Sequence, residues 1–292
     1  MPELPEVETI CRGLNRLLPQ KTVKSVAHLD SPKSFPNDLS TTEQFFDGAT
    51  ITDVRRRAKV LLIDLDTEYT LVIHLKMTGQ LVYVGSERWG GGHPNDDLIS
   101  ELPGRFTRVI IEFTDDSHLY FNDLRKFGWM KLYPTLEVPN IDFMQRVGPE
   151  PLDDLFTSSE FIPRVRRRSN TTIKAAILDQ TVLAGVGNIY ADESLWMTKI
   201  HPATRVRDVA DEQLTELLAN IKAVMNLSIE KGGSTDKNYV DAEGNKGSYL
   251  KFANVFRRDG QPCPRHPDVL IEKLRVAGRG THICPACQPV PQ

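Results

Sequence analysis

Two short ligand pairs near the C-terminus carry the strongest chemical signal in the chain. Cys263-Pro-Arg-His266 and Cys284-Pro-Ala-Cys287 each set two metal-binding side chains three positions apart, with 17 residues between the pairs. Each tight turn presents two ligands, and two such pairs close on one tetrahedral zinc ion. Cys263, His266, Cys284 and Cys287 are therefore the expected ligands of one structural zinc per chain. Between them, Val269–Ile283 reads as a hairpin with Gly278-Arg279-Gly280 at its turn and Lys273 and Arg275 on one face. A unit this small has no core of its own, so the ion is expected to fold it. Such a finger does not by itself indicate catalysis. Only one other cysteine, Cys11, is present. Cysteines clustered in this way suit a reducing compartment.

The opposite end of the chain offers a nucleophile. Removal of Met1 would expose Pro2 as a secondary amine. An α-amino group titrates near ~8, so part of it is neutral and nucleophilic at physiological pH. Such an amine can attack an electrophilic sugar carbon and form an iminium. Glu3 beside it is placed to act as acid or base. Taken alone, the same residues also make an ordinary helix start.

Charge is segregated along the chain. The 292 residues carry a net charge of −3, with 36 Lys+Arg against 39 Asp+Glu. Bulk composition thus makes no case for a polyanionic partner. Local runs do: Arg55-Arg56-Arg57-Ala58-Lys59 before a strand, Arg125-Lys126 in a turn, Arg164–Arg168 closing a helix, and Arg257-Arg258 before the finger. Residues 251–282 hold seven Lys/Arg against three Asp/Glu, a local excess of four positive charges. One run is an ordinary solvated face, but several together with a basic finger suit phosphate binding. No apolar run approaches the ~18 residues of a membrane span, and the acidic N-terminus lacks a signal core.

Three kinds of element must position these groups. Val7, Ile10, Cys11, Leu14, Leu17 and Leu18 share one face of a first helix, which Pro19 ends. Short β-rich runs follow at 49–54, 60–65, 70–75, 81–84, 108–113 and 118–121, without crossover helices between most of them. That pattern predicts antiparallel strands in a sandwich or barrel. The polar, Gly/Pro-rich stretch 85–104 reads as a surface loop. After residues 135–151 the pattern turns helical, most clearly over 208–231, where Gly232-Gly233 stops it. Residues 232–249 read as a mobile loop. The expected organisation is α+β: a β-sandwich domain at 1–135, a helical domain at 136–250 and a separate zinc finger at 251–292.

Several strings together carry a family resemblance. They are the opening Met-Pro-Glu-Leu-Pro-Glu-Val-Glu-Thr, Arg-Arg-Ala-Lys59, His74-Leu-Lys-Met77-Thr-Gly, Asn122-Asp-Leu-Arg-Lys-Phe-Gly128, Gly148-Pro-Glu-Pro151, Gly185-Val-Gly-Asn-Ile-Tyr-Ala-Asp-Glu193 and Ala277-Gly-Arg-Gly-Thr-His282. In order and spacing they resemble the bacterial formamidopyrimidine-DNA glycosylases, from residue 1 to the finger. The opening string favours this branch over the related endonuclease VIII branch. The resemblance implies a β-sandwich with a flanking helix, then a helical domain with a helix–two-turns–helix element and a zinc-finger hairpin. It implies excision of 8-oxoguanine and formamidopyrimidines from duplex DNA, followed by strand cleavage.

The same resemblance assigns roles. Pro2 becomes the Schiff-base nucleophile and Glu3 the proton donor. Lys59 is matched to β-elimination and phosphate contact, and Arg279 to δ-elimination and backbone contact. Asn188, in the two-turns loop, holds phosphate. Met77, Arg125 and Phe127 fill the void left by a flipped nucleotide, which must leave the stack for its sugar carbon to be reached. His74, Lys126, Arg168 and Lys174 complete the expected DNA-binding set. The chain departs from the family pattern at Arg105-Phe106-Thr107-Arg108, where a phosphate-contacting His is missing and an Arg stands in its place. It departs again at Phe256, where a Tyr is usual, and at His266, where a Cys is usual. Three functions compete: a bifunctional glycosylase/lyase, a damaged-DNA binder that has lost the chemistry, and the same chemistry on oxidised pyrimidines. The presence of Pro2, Glu3, Lys59 and Arg279 argues against the binder. The expected partner is damaged double-stranded DNA, met by a monomer in the cytoplasm with no membrane contact.

Overall fold

A computed structural model describes residues 2–93, 100–234 and 249–291. The expected mobile loop thus lies, over 235–248, outside the described residues. The chain divides into two units. One runs to Gln145 and includes the stretch after Glu230; the other comprises Arg146–Glu230 and the chain from Tyr249.

The first unit begins with helix α1, Leu4–Leu17, whose apolar stripe of Leu4, Val7, Ile10 and Leu14 is buried as its spacing requires. Among the described residues nine strands follow: β1 Val23–His28, β2 Ile51–Arg57, β3 Val60–Leu65, β4 Tyr69–His74, β5 Gly79–Val84, β6 Arg88–Gly92, β7 Thr107–Phe113, β8 His118–Asp123 and β9 Trp129–Pro134. They form two antiparallel sheets, ordered β1-β7-β8-β5-β6 and β2-β3-β4-β9. One apolar core takes Leu61 and Ile63 from one sheet, Leu81, Val109 and Phe121 from the other, and Val7, Ile10 and Leu14 from α1. This is the expected sandwich. Strand β3 is apolar at successive positions because its second face is covered too. Val60 and Leu62 pack with Val72, Val138 and Phe143, beneath the segment carrying the short helix α3, Asp142–Arg146. Another short helix, α2, spans Leu39–Phe45.

Two expectations for this unit change. The run Arg55–Lys59 precedes strand β3 as expected, but Arg55–Arg57 already belong to β2, which runs past its expected end at residue 54, with Ala58-Lys59 as the hairpin turn and Ala58 at φ +52°. Stretch 85–104 is not all loop, because β6 occupies its first part. Trp89 is buried there, and a Cβ added at Gly13 of α1 would sit 2.1 Å from its ring. A glycine on the helix and an aromatic ring on the strand thus settle an element whose Gly-rich composition reads as loop.

The second unit contains α4 Ser158–Arg166, α5 Ile173–Leu178, α6 Asn188–Met197 and α7 Asp211–Glu230, then hairpin strands β10 Glu272–Val276 and β11 Arg279–Ile283. In α7, Leu214, Leu217, Leu218, Ile221, Val224 and Met225 are buried, the face its spacing predicts. The finger, expected to stand apart, belongs to this unit. Val255, Cys263, Ile271, Cys284 and Cys287 form one apolar cluster with Trp196 of α6. Arg279 is the first residue of β11, and the turn itself is Ala277-Gly278, both at positive φ. Among the described residues, no helix is long and apolar enough to cross a membrane.

Candidate nucleic-acid interface and metal centre

In the first unit, Met77, Arg125, Lys126 and Phe127 stand on connections between the two sheets. The segment 75–78 leaves β4 of the four-stranded sheet for β5 of the other, and the segment 124–128 returns from β8 to β9. Because β4 pairs with β9 and β5 with β8, with His74 opposite Trp129 and Gly79 opposite Asp123, the two crossings lie side by side. Met77, Arg125 and Phe127 therefore meet. Arg125 Nη1 lies 2.9 Å from Met77 Sδ, and its guanidinium carbon lies 4.7 Å from the Phe127 ring centroid, a cation–π distance. Met77 is 43% exposed and Phe127 is 54% exposed. Apolar side chains of this size in the open are not core residues.

Asp123 holds this cluster. It is fully buried. One carboxylate oxygen accepts from the Thr78 hydroxyl and from the Arg125 N–H at 3.1 Å, and the other accepts from the Gly128 N–H at 2.7 Å. One side chain thus ties both crossings together. A Cβ at Gly128 would come 2.6 Å from the Phe121 ring, so the return crossing needs a glycine there. Arg108 donates from Nε to the Asp123 carbonyl at 2.9 Å and is itself buried. It therefore supports the loop that carries Arg125 and Phe127. Lys126 pairs with Asp30 at 2.6 Å while staying partly exposed.

Lys59 is buried in its hairpin turn. His74 is buried too, and its Nδ1 accepts the Lys76 N–H at 3.1 Å. Burial, reinforced by the positive Lys76 and Lys59, pushes its imidazole down to about 3. His74 is thus neutral at physiological pH, and any phosphate contact it makes is a hydrogen bond and not a charge pair. Glu3 is the N-cap of α1 and shares a reciprocal capping box with Glu6. Glu6 Oε2 accepts the Glu3 N–H at 2.8 Å, and its Oε1 accepts the Ser234 N–H at 3.0 Å. Glu6 therefore ties the start of α1 to the segment after α7. The sequence carries no local signal for this role of Glu6, because the contact is made 228 residues away.

Many of the basic side chains are already paired. Arg55 bonds to Asp64, Arg56 to Glu8 and Arg166 to Asp211. Burial alone would raise the Glu8 carboxyl, but Arg56 and Arg12 hold it below the usual range. These arginines brace the fold. The phosphate-binding case narrows to fewer positions than the sequence runs suggest.

In the second unit, Gln180 shapes the two-turns loop. Its amide donates to the Leu178 and Val186 carbonyls and accepts from the Gly185 N–H, where φ is +78°. The loop delivers Asn188 to the first turn of α6. There Gly187 contributes no capping side chain, an arrangement that suits an anion. Asn188 Nδ2 donates to the Gly280 carbonyl at 3.0 Å, next to the exposed Arg279. Arg168 remains partly exposed while paired with Asp179 at 2.8 Å. Lys174 departs from expectation. Its side chain is fully buried and ion-paired with Asp192 at 2.6 Å, so it does not face a duplex.

Cys263, His266, Cys284 and Cys287 converge, with all ligand atoms within 4.8 Å of one another. The Cys263–Cys287 Sγ separation is 3.8 Å, and His266 Nδ1 lies 3.2 Å from Cys287 Sγ. Zinc–sulfur bonds of ~2.3 Å in a tetrahedron give a sulfur–sulfur edge of about 3.8 Å. The donor set therefore fits one structural zinc, with His266 as a full ligand. Against its burial, the Arg265 and His266 N–H groups pull the Cys263 thiol down to about 6, toward the thiolate that binds metal. Arg265 also donates to the Trp196 and Met197 carbonyls at the end of α6 and lies 3.9 Å from the Trp196 ring centroid.

Comparison with known proteins agrees with this geometry. Residues 1–130 match the formamidopyrimidine-DNA glycosylase N-terminal domain, residues 147–239 its H2TH domain, and residues 269–290 a zinc finger found in FPG and IleRS. A formamidopyrimidine-DNA glycosylase from Herpetosiphon aurantiacus is 42% identical over 291 residues, covering 99% of this chain and 100% of the relative. One from Chloroflexus aurantiacus is 40% identical over 288 residues, covering 99% of this chain and 98% of the relative. Among solved structures, a Lactococcus lactis Fpg mutant in complex with Fapy-dG-containing DNA superposes with a TM-score of 0.86 at 30% identity, covering 99% of this chain and all of that one. With matches in order along nearly its whole length, the chain belongs to the formamidopyrimidine-DNA glycosylase family.

Proposed function

We propose that this protein removes oxidised purines, 8-oxoguanine and formamidopyrimidines, from duplex DNA and then cleaves the strand at the abasic site. The observation that carries this reading is the exposed Met77–Arg125–Phe127 cluster on the buried Asp123. A binder of intact duplex has no use for an apolar wedge with one arginine beside it. An enzyme that flips a nucleotide must fill the gap and hold the orphan base, and such a wedge does both.

In this mechanism Met1 is removed and the Pro2 nitrogen attacks C1′ of the flipped nucleotide. The C1′–N bond breaks, and the base leaves with that electron pair and takes up a proton. Glu3 protonates the sugar ring oxygen, so the ring opens to an iminium at Pro2. Loss of the C2′ proton then expels the 3′-phosphate, and Lys59 is placed for this β-elimination. Loss of the C4′ proton expels the 5′-phosphate, and Arg279 serves this δ-elimination. Water hydrolyses the remaining iminium and frees Pro2. Asn188, Arg168 and Lys126 hold backbone phosphates, His74 donates as a neutral imidazole, and the zinc keeps the finger folded.

The test is incubation with duplex oligonucleotides carrying single lesions, under borohydride. A covalent adduct on 8-oxoguanine and formamidopyrimidine duplexes, absent from undamaged duplex, supports the reading. Adducts confined to oxidised pyrimidines would move the substrate class. Lesion binding with neither adduct nor strand break would leave a damaged-DNA binder.

A further inference from the structure

The finger hairpin is held by one buried carboxylate. Lys174 and Asp192 are both 0% exposed and pair at 2.6 Å. Asp192 Oδ2 accepts the His282 N–H at 2.9 Å and lies 3.1 Å from His282 Nδ1. Lys174 Nζ donates onward to Thr281 Oγ1 at 2.7 Å and to the Gly280 carbonyl at 3.2 Å. That carbonyl is the one Asn188 bonds. Asn188 and Asp192 lie four residues apart on α6, on the same face one turn apart. One face of α6 thus holds Gly280 and His282, and Lys174 of α5, paired to that face, holds Thr281 between them; these are the three residues after Arg279.

A two-stranded hairpin with five residues per arm is marginal alone, and a one-residue slip would turn every side chain to the other face. The metal ligands leave this problem open, because the nearest one, Cys284, lies five residues beyond Arg279. A buried ion pair is a weak source of net stability but a well-attested way to fix register. We infer that Asp192 is a positioning residue: with Lys174 it sets the hairpin against the start of α6, so that Arg279 and Asn188 stand at a fixed spacing for adjoining phosphates. The inference rests on the role proposed above for Arg279 and extends it to the residue that aims it.

The experiment follows Asp192→Asn in the zinc-loaded full-length protein on a pre-formed abasic duplex and on an 8-oxoguanine duplex. The variant is expected to keep about one zinc per chain. Its His282 amide should exchange faster with solvent. Its δ-product share should fall at least about tenfold, while single-turnover base excision stays within about twofold. Should the unpaired Lys174 prevent folding, the double variant Lys174→Met, Asp192→Leu replaces the pair with apolar groups of similar size. It should fold and still lose the δ-product.

Parallel loss of base excision and both eliminations in the folded variants would mean general destabilisation and overturn the inference. So would an unchanged δ-share despite faster His282 exchange. Arg279→Ala separates the readings. If that variant keeps the δ-product, the role of Arg279 fails and the positioning inference falls with it. If it loses the product and both Asp192 variants keep it, only the positioning inference fails.

Discussion

The two units fix the exposed side chains of their candidate sites by opposite means. In the first, Met77, Arg125 and Phe127 stand on short crossings over a large apolar core shared by two sheets and a helix. One carboxylate, Asp123, adjusts loops whose ends the strand pairing has already placed. In the second, the hairpin under Arg279 has only a small cluster of its own. It is tied along the length of α6: Asn188 at the first turn, then Asp192, then Glu193, which accepts the Asn254, Val255 and Phe256 N–H groups, and finally the last carbonyls, which accept from Arg265. Where apolar area suffices, polar groups refine position. Where it does not, buried charges and a metal must hold the structure itself.

This contrast breaks most sharply on the N-terminus and the finger. An N-terminal extension, or retained Met1, converts the Pro2 amine into an amide. Borohydride trapping and strand cleavage should fall to background while lesion-duplex affinity is kept, and trapping at the level of the processed protein would move the nucleophile to a lysine, with Lys59 first. Cys284→Ser attacks the other side. Structural zinc contributes on the order of 10 kcal/mol to folding such a unit. The variant should lose its zinc and most of its duplex affinity, while the β-rich unit still melts cooperatively by near-ultraviolet circular dichroism.

Smaller effects sharpen the comparison within the first unit. Asp123→Ala strips both crossings of their shared acceptor, and breaking such a buried polar network costs about 3–5 kcal/mol. Denaturant midpoints should show it, with the loss of base-opposite discrimination exceeding the loss of zinc. His74 predicts a pH signature. Its folded pKa of about 3 lies below the unfolded value of 6.5, so the unfolded state takes up a proton that the folded state refuses. Stability should therefore fall as pH drops from about 6.5 toward 3, by about 2 kcal/mol at pH 5. Comparing His74→Asn with the parent by urea titration at pH 7 and pH 5 checks this: the parent should lose that much more. Arg125→Ala touches only the exposed wedge. It should cost about 1–3 kcal/mol in discriminating the base opposite the lesion, with stability changed by less than about 0.5 kcal/mol. Equal losses on damaged and undamaged duplex would remove it from the wedge.

Much of the fold was legible where the signal is local. The first helix, α7, most strands of the sandwich and the hairpin follow from apolar spacing and turn residues. Strand β6 was not, since Trp89 becomes a core residue only against Gly13. The site divides likewise. The zinc ligands follow from spacing. The roles of Pro2, Glu3, Lys59 and Arg279 were expected from family resemblance and remain for the proposed experiments. The basic runs misled in part, because an arginine advertises its charge but not its partner. Arg56 is taken by Glu8, 48 residues away, and Arg55 by Asp64 across the hairpin.

By itself the sequence determines which ligands can bind metal, which stretches are helical or extended, and which family's motifs recur. These depend on neighbours a few residues apart, where chain geometry is nearly fixed. Only the tertiary structure decides that Met77 meets Arg125, because that contact requires β4 to pair with β9 and β5 with β8 at once. It also decides that Lys174 turns inward. A lysine is buried only where its charge finds a partner, and its partners, Asp192 and Thr281, lie 18 and 107 residues along the chain.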